Sequence, residues 1–109
     1  MTETLDDILS DEGALPLTGD LRAAIEGWLS SLTAERGHSD ATRVAYERDV
    51  RQFLGFLKAH HGYPPSLADL ARVDAKTVRA FLAKRRAAGV VSRSLSRSLS
   101  ALRMLFRWL

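Results

Sequence analysis

Cysteine is absent from this 109-residue chain, which excludes disulfides and thiolate metal sites and fits a reducing cytoplasm. No apolar run approaches the roughly 18 residues that a membrane helix needs. The N-terminus is acidic and lacks both a basic stretch and an apolar run, so it does not read as a signal peptide. Also missing are a Gly-rich phosphate loop, a nucleophile elbow and a paired-carboxylate cluster, so no catalytic apparatus is visible. His60-His61 has no Asp, Glu or third His at ligand spacing, and neither a metal nor a cofactor is expected.

Charge of one sign is missing at each end of the chain. Residues 1–20 contain Glu3, Asp6, Asp7, Asp11, Glu12 and Asp20 but no Lys or Arg. After Asp74 there is no Asp or Glu at all, while residues 72–109 carry ten Lys and Arg side chains. The net charge of +3 therefore conceals an acidic leader and a strongly basic C-terminal third. The middle of the chain is balanced. A basic region of this kind is the electrostatic footprint of a polyanion partner, and double-stranded DNA is the one expected.

Periodicity predicts four main helices, at about 20–36, 40–61, 75–88 and 93–109. The first starts at Asp20 as N-cap, carries Leu21, Ile25, Trp28, Leu29 and Leu32, and stops at Gly37. Ser39 caps the second, whose apolar face is Tyr46, Val50, Phe53, Leu54 and Leu57, and which ends before Gly62. Tyr63-Pro64-Pro65-Ser66 breaks the chain, and Leu67–Leu70 has room for one short turn. The third helix follows Asp74, buries Val78, Phe81 and Leu82, and stops at Gly89. The fourth is capped by Ser92 or Ser94. The expected core is Ile25, Trp28, Leu29, Val50, Phe53, Leu57, Phe81, Leu82, Leu99, Leu102 and Phe106. Long helices with short connections and no strand signal predict an all-α bundle. Residues 1–19 read as a mobile leader or a docking peptide, residues 20–109 as one domain. The last helix reaches the chain end at an apolar point, Leu105 to Leu109, and so reads as truncated, with more protein expected to follow.

On that last helix Arg93, Arg97, Arg103 and Arg107 share an arc of roughly 120° with Ser96 and Ser100. Leu95, Leu99, Leu102, Phe106 and Leu109 take the opposite arc. A solvated face is the ordinary reading of charged helix positions. Four unneutralised arginines repel one another, however, by a few tenths of a kcal/mol per i, i+4 pair, roughly, and a bound anion relieves that repulsion. Most such contacts are to phosphates, with Arg93 and Arg97 nearer the end at which recognition helices reach bases. On the second helix, Arg43, Glu47 and Arg51 are spaced for an intrahelical ion-pair ladder. Thr42, Arg43 and Arg51 are equally candidates for backbone contacts, and Ser39 stands where free helix amides receive phosphate. Lys84-Arg85-Arg86 sits at a helix end, where it compensates the macrodipole.

Three stretches, in order and in register, carry a family resemblance. Ser39-x-x-Thr42-x-x-x-Tyr46-x-x-Asp49-x-x-x-Phe53-x-x-Phe56-Leu57, Asp74-x-x-x-Val78-x-x-Phe81-Leu82 and Arg97-Ser98-Leu99-Ser100-Ala101-Leu102-Arg103-x-Leu105-Phe106-x-x-Leu109 resemble the N-terminal core-binding domain of tyrosine recombinases, notably the Xer branch. The likeness covers residues 21–109 and leaves the leader outside. It implies a SAM-like bundle of four main helices arranged as two crossed hairpins, forming half of a clamp around a recombination half-site. It also implies that the second and fourth helices face the DNA, and that a separate domain holds the tyrosine nucleophile. Tyr46 and Tyr63 then lie in the wrong domain for that role. The implied partners are the half-site duplex and a paired or identical recombinase subunit. A helix-turn-helix regulator is a rival, weakened by the long helices and by Pro64-Pro65. A SAM-type protein-interaction module is another.

Overall fold

Local signals place the helix starts. The computed structural model describes residues 17–109, and the apolar set Leu5, Ile8 and Leu9 of the leader lies outside the described residues. Five helices follow: α1 (Gly19–Ala34), α2 (Asp40–His61), α3 (Leu67–Ala71), α4 (Ala75–Ala87) and α5 (Ser92–Trp108). No strand occurs among the described residues. Ser39 caps α2 by accepting from the Thr42 amide at 3.1 Å. Asp74 caps α4 by accepting from the Thr77 amide and hydroxyl at 2.9 and 2.8 Å. The expected single turn after Pro65 is α3, closed by a reciprocal capping box between Ser66 and Asp69. Gly62 ends α2 in the left-handed region at φ 83°, donating its amide to the Lys58 carbonyl at 2.8 Å.

Two caps differ from expectation. α1 begins one residue earlier, with Thr18 at the N-cap, and Asp20 lies in the first turn. There its carboxylate accepts from the Leu21 amide at 2.7 Å and from the Thr18 hydroxyl. α5 begins at Ser92 behind Val91, and no side chain caps it, so neither Ser92 nor Ser94 serves that purpose. The amides in its first turn are left without a side-chain acceptor.

These carboxylates make stability acid-sensitive. Thr18 holds Asp20 below the ordinary aspartate value, the Ser66 amide does the same to Asp69, and the Thr77 amide to Asp74. A group depressed in the folded state contributes stability above its unfolded pKa and loses it as pH falls through the folded value. Melting temperature is therefore expected to hold steady from neutral pH to about 5 and to drop below about 4. Asp74→Asn should shallow that drop in a pH series of thermal melts.

Packing joins two helical pairs into one core. α1 lies against α2 and α4 against α5, while the most extensive helix contact is α2 on α5, across the pairs. This pairing is consistent with the two hairpins that the resemblance implies. The α1 entrance is pinned by the Thr18 amide, which donates to the Pro65 carbonyl. Phe53 is fully buried where α2, α4 and α5 meet, edge-on to Phe81 and Phe106. Ile25, Trp28, Val50, Leu57, Phe81 and Leu102 are buried as expected, joined by Leu21, Leu32, Leu54, Leu70, Leu95, Ala101 and Leu105.

The α5 face is turned relative to the expected one. Its buried positions are Leu95, Ser98, Ala101, Leu102 and Leu105, an arc rotated by roughly 60° from the one through Leu99 and Phe106. Leu99, Phe106, Leu29 and Leu82 are only half-buried, and Leu109 is exposed. Small Ser98 and Ala101 face inward and allow α5 to approach its neighbours closely. Leu99→Ala is accordingly expected to cost about 1–2 kcal/mol, below the roughly 2–5 kcal/mol of a fully buried leucine, as measured by urea unfolding.

Candidate nucleic-acid interface

The rotation of α5 separates its arginines into two kinds. Arg93, Arg103 and Arg107 are exposed, as are Ser96 and Ser100. No ion pair within 4 Å involves these three guanidinium groups among the described residues. Arg97 lies at the edge of the arginine arc nearest the core, and its side chain is only 36% exposed. The expectation that this ladder has no acid to neutralise it fails at Arg97. Its acid comes from α2, 48 positions earlier in the chain.

That acid is Asp49, which is completely buried. Arg97 donates through Nε to Oδ2 at 2.8 Å and through Nη2 to Oδ1 at 3.0 Å, a bidentate pair. The Ser98 hydroxyl donates to Oδ1 at 3.0 Å, and Arg85 Nη1 donates to the same hydroxyl at 2.9 Å. Arg85 Nη1 is itself 3.9 Å from Asp49 Oδ1, and its guanidinium lies over the Phe81 ring. Three helices thus meet on one carboxylate: α2 supplies Asp49, α4 Arg85, and α5 Arg97 with Ser98. The hydrogen bonds that Arg97 donates to Asp49 hold it above the ordinary arginine value, so it stays charged. Arg85 is thus part of this network, which the macrodipole reading of Lys84-Arg85-Arg86 did not include.

The α2 candidates divide in the same way. Glu47 receives Arg51 Nη2 at 2.5 Å and lies 3.6 Å from Arg43 Nη1, so the ion-pair ladder forms. Ser39 is exposed and engaged as a cap, its hydroxyl donating to Thr42 Oγ1 at 3.0 Å. Thr42 is half-buried. Tyr46 is packed against Trp28 and His38, with stacked and tilted rings respectively. Among the described residues no cluster of three His, Cys, Asp or Glu side chains stands ready for a metal. No helix among them is long and apolar enough to cross a membrane.

Residues 25–109 match the family model described as the phage integrase N-terminal SAM-like domain. The chain belongs to that family. Within it, the SAM-like domain is 47% identical over 100 residues to the tyrosine recombinase XerC of Brucella suis biovar 1 (strain 1330), covering 92% of this chain and 32% of that protein. It is 47% identical over 98 residues to the XerC of Mesorhizobium japonicum, covering 90% and 31%. The XerC of Rhodospirillum centenum is 40% identical over 101 residues, covering 88% and 30%. No solved structure matches. The Xer-like resemblance read from the three motifs is met. The domain spans about a third of the length of the relatives it matches. The Brucella alignment leaves only some nine residues of the chain outside, so the likeness extends into the leader, further than the motifs indicated.

Sequence reasoning quoted Asp49 and Ser98 only as members of the family motifs and gave neither a role in the site, although one signal for Asp49 was present. Asp49 falls between Tyr46 and Phe53 on the apolar stripe of α2, three and four residues from each. An acid in such a stripe requires a buried cationic partner.

Proposed function

We propose that this domain binds double-stranded DNA as the non-catalytic half of the clamp of a Xer-type site-specific recombinase. The observation that carries this reading is the exposed face of α5, where Arg93, Arg103 and Arg107 lie among serines with no acid on the helix. Phosphates are the natural counter-charge for such a surface. Arg97 offers its outward part to the same surface, and Ser39, Thr42, Arg43 and Arg51 are candidate backbone contacts from α2. In the full-length protein the domain orients a separate catalytic domain over the scissile phosphate, beside a paired or identical recombinase subunit in the cytoplasm. The domain is taken to begin at Leu17 and Thr18, which join the α1 entrance, rather than at residue 20, with the acidic sequence before them as its leader. Tyr46, engaged by Trp28 and His38, is not the nucleophile.

The test is a mobility shift with random and half-site duplexes across a salt series. Binding is expected to weaken with salt at a log–log slope of about −0.9 per phosphate neutralised. Arg93→Ala with Arg103→Ala should reduce that slope by about two, roughly one per lost contact, while leaving the melting temperature nearly unchanged. Unaltered affinity and slope in this double variant would remove the α5 face from the interface. Absence of any shift for the unmodified domain would favour a protein-interaction module instead.

A further inference from the structure

We infer that Asp49 is a positioning residue for the anion-binding face, holding Arg97 by the Nε/Nη2 edge of its guanidinium so that the adjacent Nη1/Nη2 edge is set in place for a phosphate. The inference rests on the DNA-binding reading above. Arginine presents five N–H donors in a rigid planar fork. Asp49 occupies the Nε and Nη2 edge at 2.8 and 3.0 Å. The Nη1 donors and the outer hydrogen of Nη2 have no partner among the described residues, and they form a second bidentate edge. The carboxylate beneath is fully buried, whereas the Arg97 side chain is about one-third exposed.

The anchor itself is held by two further side chains. Ser98 donates to Asp49 Oδ1, and Arg85, lying over Phe81 and mostly buried, donates to Ser98. A free surface arginine loses rotamer entropy when it grips a phosphate. Arg97 has already lost much of it on folding, so less is lost on binding. Arg93, Arg103 and Arg107 lack such an anchor among the described residues, which marks Arg97 as the ordered member of the face.

The experiment exploits a difference in sign. Asp49→Asn removes a negative charge from beside the DNA-facing surface, and electrostatics alone would tighten binding to duplex. A positioning role predicts the reverse. Asp49→Asn should weaken binding to a half-site duplex about tenfold, the loss of one charge-assisted contact. Glu35→Gln, which removes the same charge at an exposed position, should bind as tightly as the unmodified domain or slightly tighter. Affinities are measured by fluorescence anisotropy well below each variant's melting temperature.

Asp49→Asn that stays folded and binds with unchanged or greater affinity overturns the inference, although the unmodified domain still binds. If the unmodified domain fails to bind duplex, the DNA-binding reading falls and the inference falls with it. Should Asp49→Asn not fold, Arg97→Lys decides the matter. The lysine ammonium can still pair with Asp49 but has no second edge, so a loss of about tenfold supports the role. Unchanged affinity in that variant refutes it.

Discussion

Replacing Phe53 with alanine is expected to lower the free energy of unfolding by about 3–5 kcal/mol, among the largest effects of a single truncation in the domain. The ring is fully buried. It lies 5.2 Å from Phe81 and 6.2 Å from Phe106, nearly perpendicular to both, and 6.5 Å from Phe56. Its removal opens a void between α2, α4 and α5 and discards edge-to-face contacts worth about 0.5–1.5 kcal/mol per pair beyond area. Those helices cannot close the gap by shifting, because α2 and α5 are also fixed to each other at Asp49. A domain of this size is typically stable by about 5–15 kcal/mol, so Phe53→Ala should be partly unfolded near body temperature. Urea denaturation with an unchanged m-value and a lowered midpoint checks it. A loss below about 1 kcal/mol would show that the junction repacks, contrary to the close packing of core interiors.

Phe53 was legible in the sequence because it sits in a long stripe with period 3.6 and is flanked by capping signals. Ser39, Asp74, Gly62 and Gly89 mark ends through local chemistry, which requires only neighbouring residues. The facing of α5 was less legible. Leu99 and Phe106 are as apolar as Leu95 and Leu102, and hydrophobicity alone would centre the buried arc among them. Burial instead follows Ser98, Ala101 and Leu105, because close approach to the neighbouring helices favours small side chains. Asp20 and Thr18 show a similar ambiguity: both are good capping types two residues apart, and backbone geometry selects Thr18. The candidate interface divides along the same line. Arg93, Arg103 and Arg107 needed only the helical period to be placed outside. The state of Arg97 depends on a residue 48 positions away, a pairing that no window along the chain can display.

That pairing changes what Arg97→Ala should do to stability. Periodicity alone placed Arg97 on a solvent face and implied almost no effect. With Asp49 fully buried beneath it, the alanine variant leaves a carboxylate without its bidentate partner in an interior position. Breaking a buried pair from one side usually costs 3–5 kcal/mol, roughly. Two features reduce the expected cost here to about 2–4 kcal/mol. Arg97 is one-third exposed, and Ser98 with Arg85 still faces the carboxylate. The opposite truncation, Asp49→Ala, lets Arg97 turn into water but leaves Arg85, only 15% exposed, without its carboxylate, so it should also destabilise. The double variant is then expected to be more stable than the sum of the two losses implies, by a coupling of about 1–2 kcal/mol. Chemical denaturation of the four proteins measures this cycle. Because Asp49 is shielded from solvent, the coupling should persist when ionic strength is raised, whereas the half-buried Arg43–Glu47 pair, more open to solvent, should weaken. A coupling near zero would mean that the carboxylate is satisfied by Ser98 and Arg85 alone, and that Arg97 contributes to the surface without holding α5 against α2.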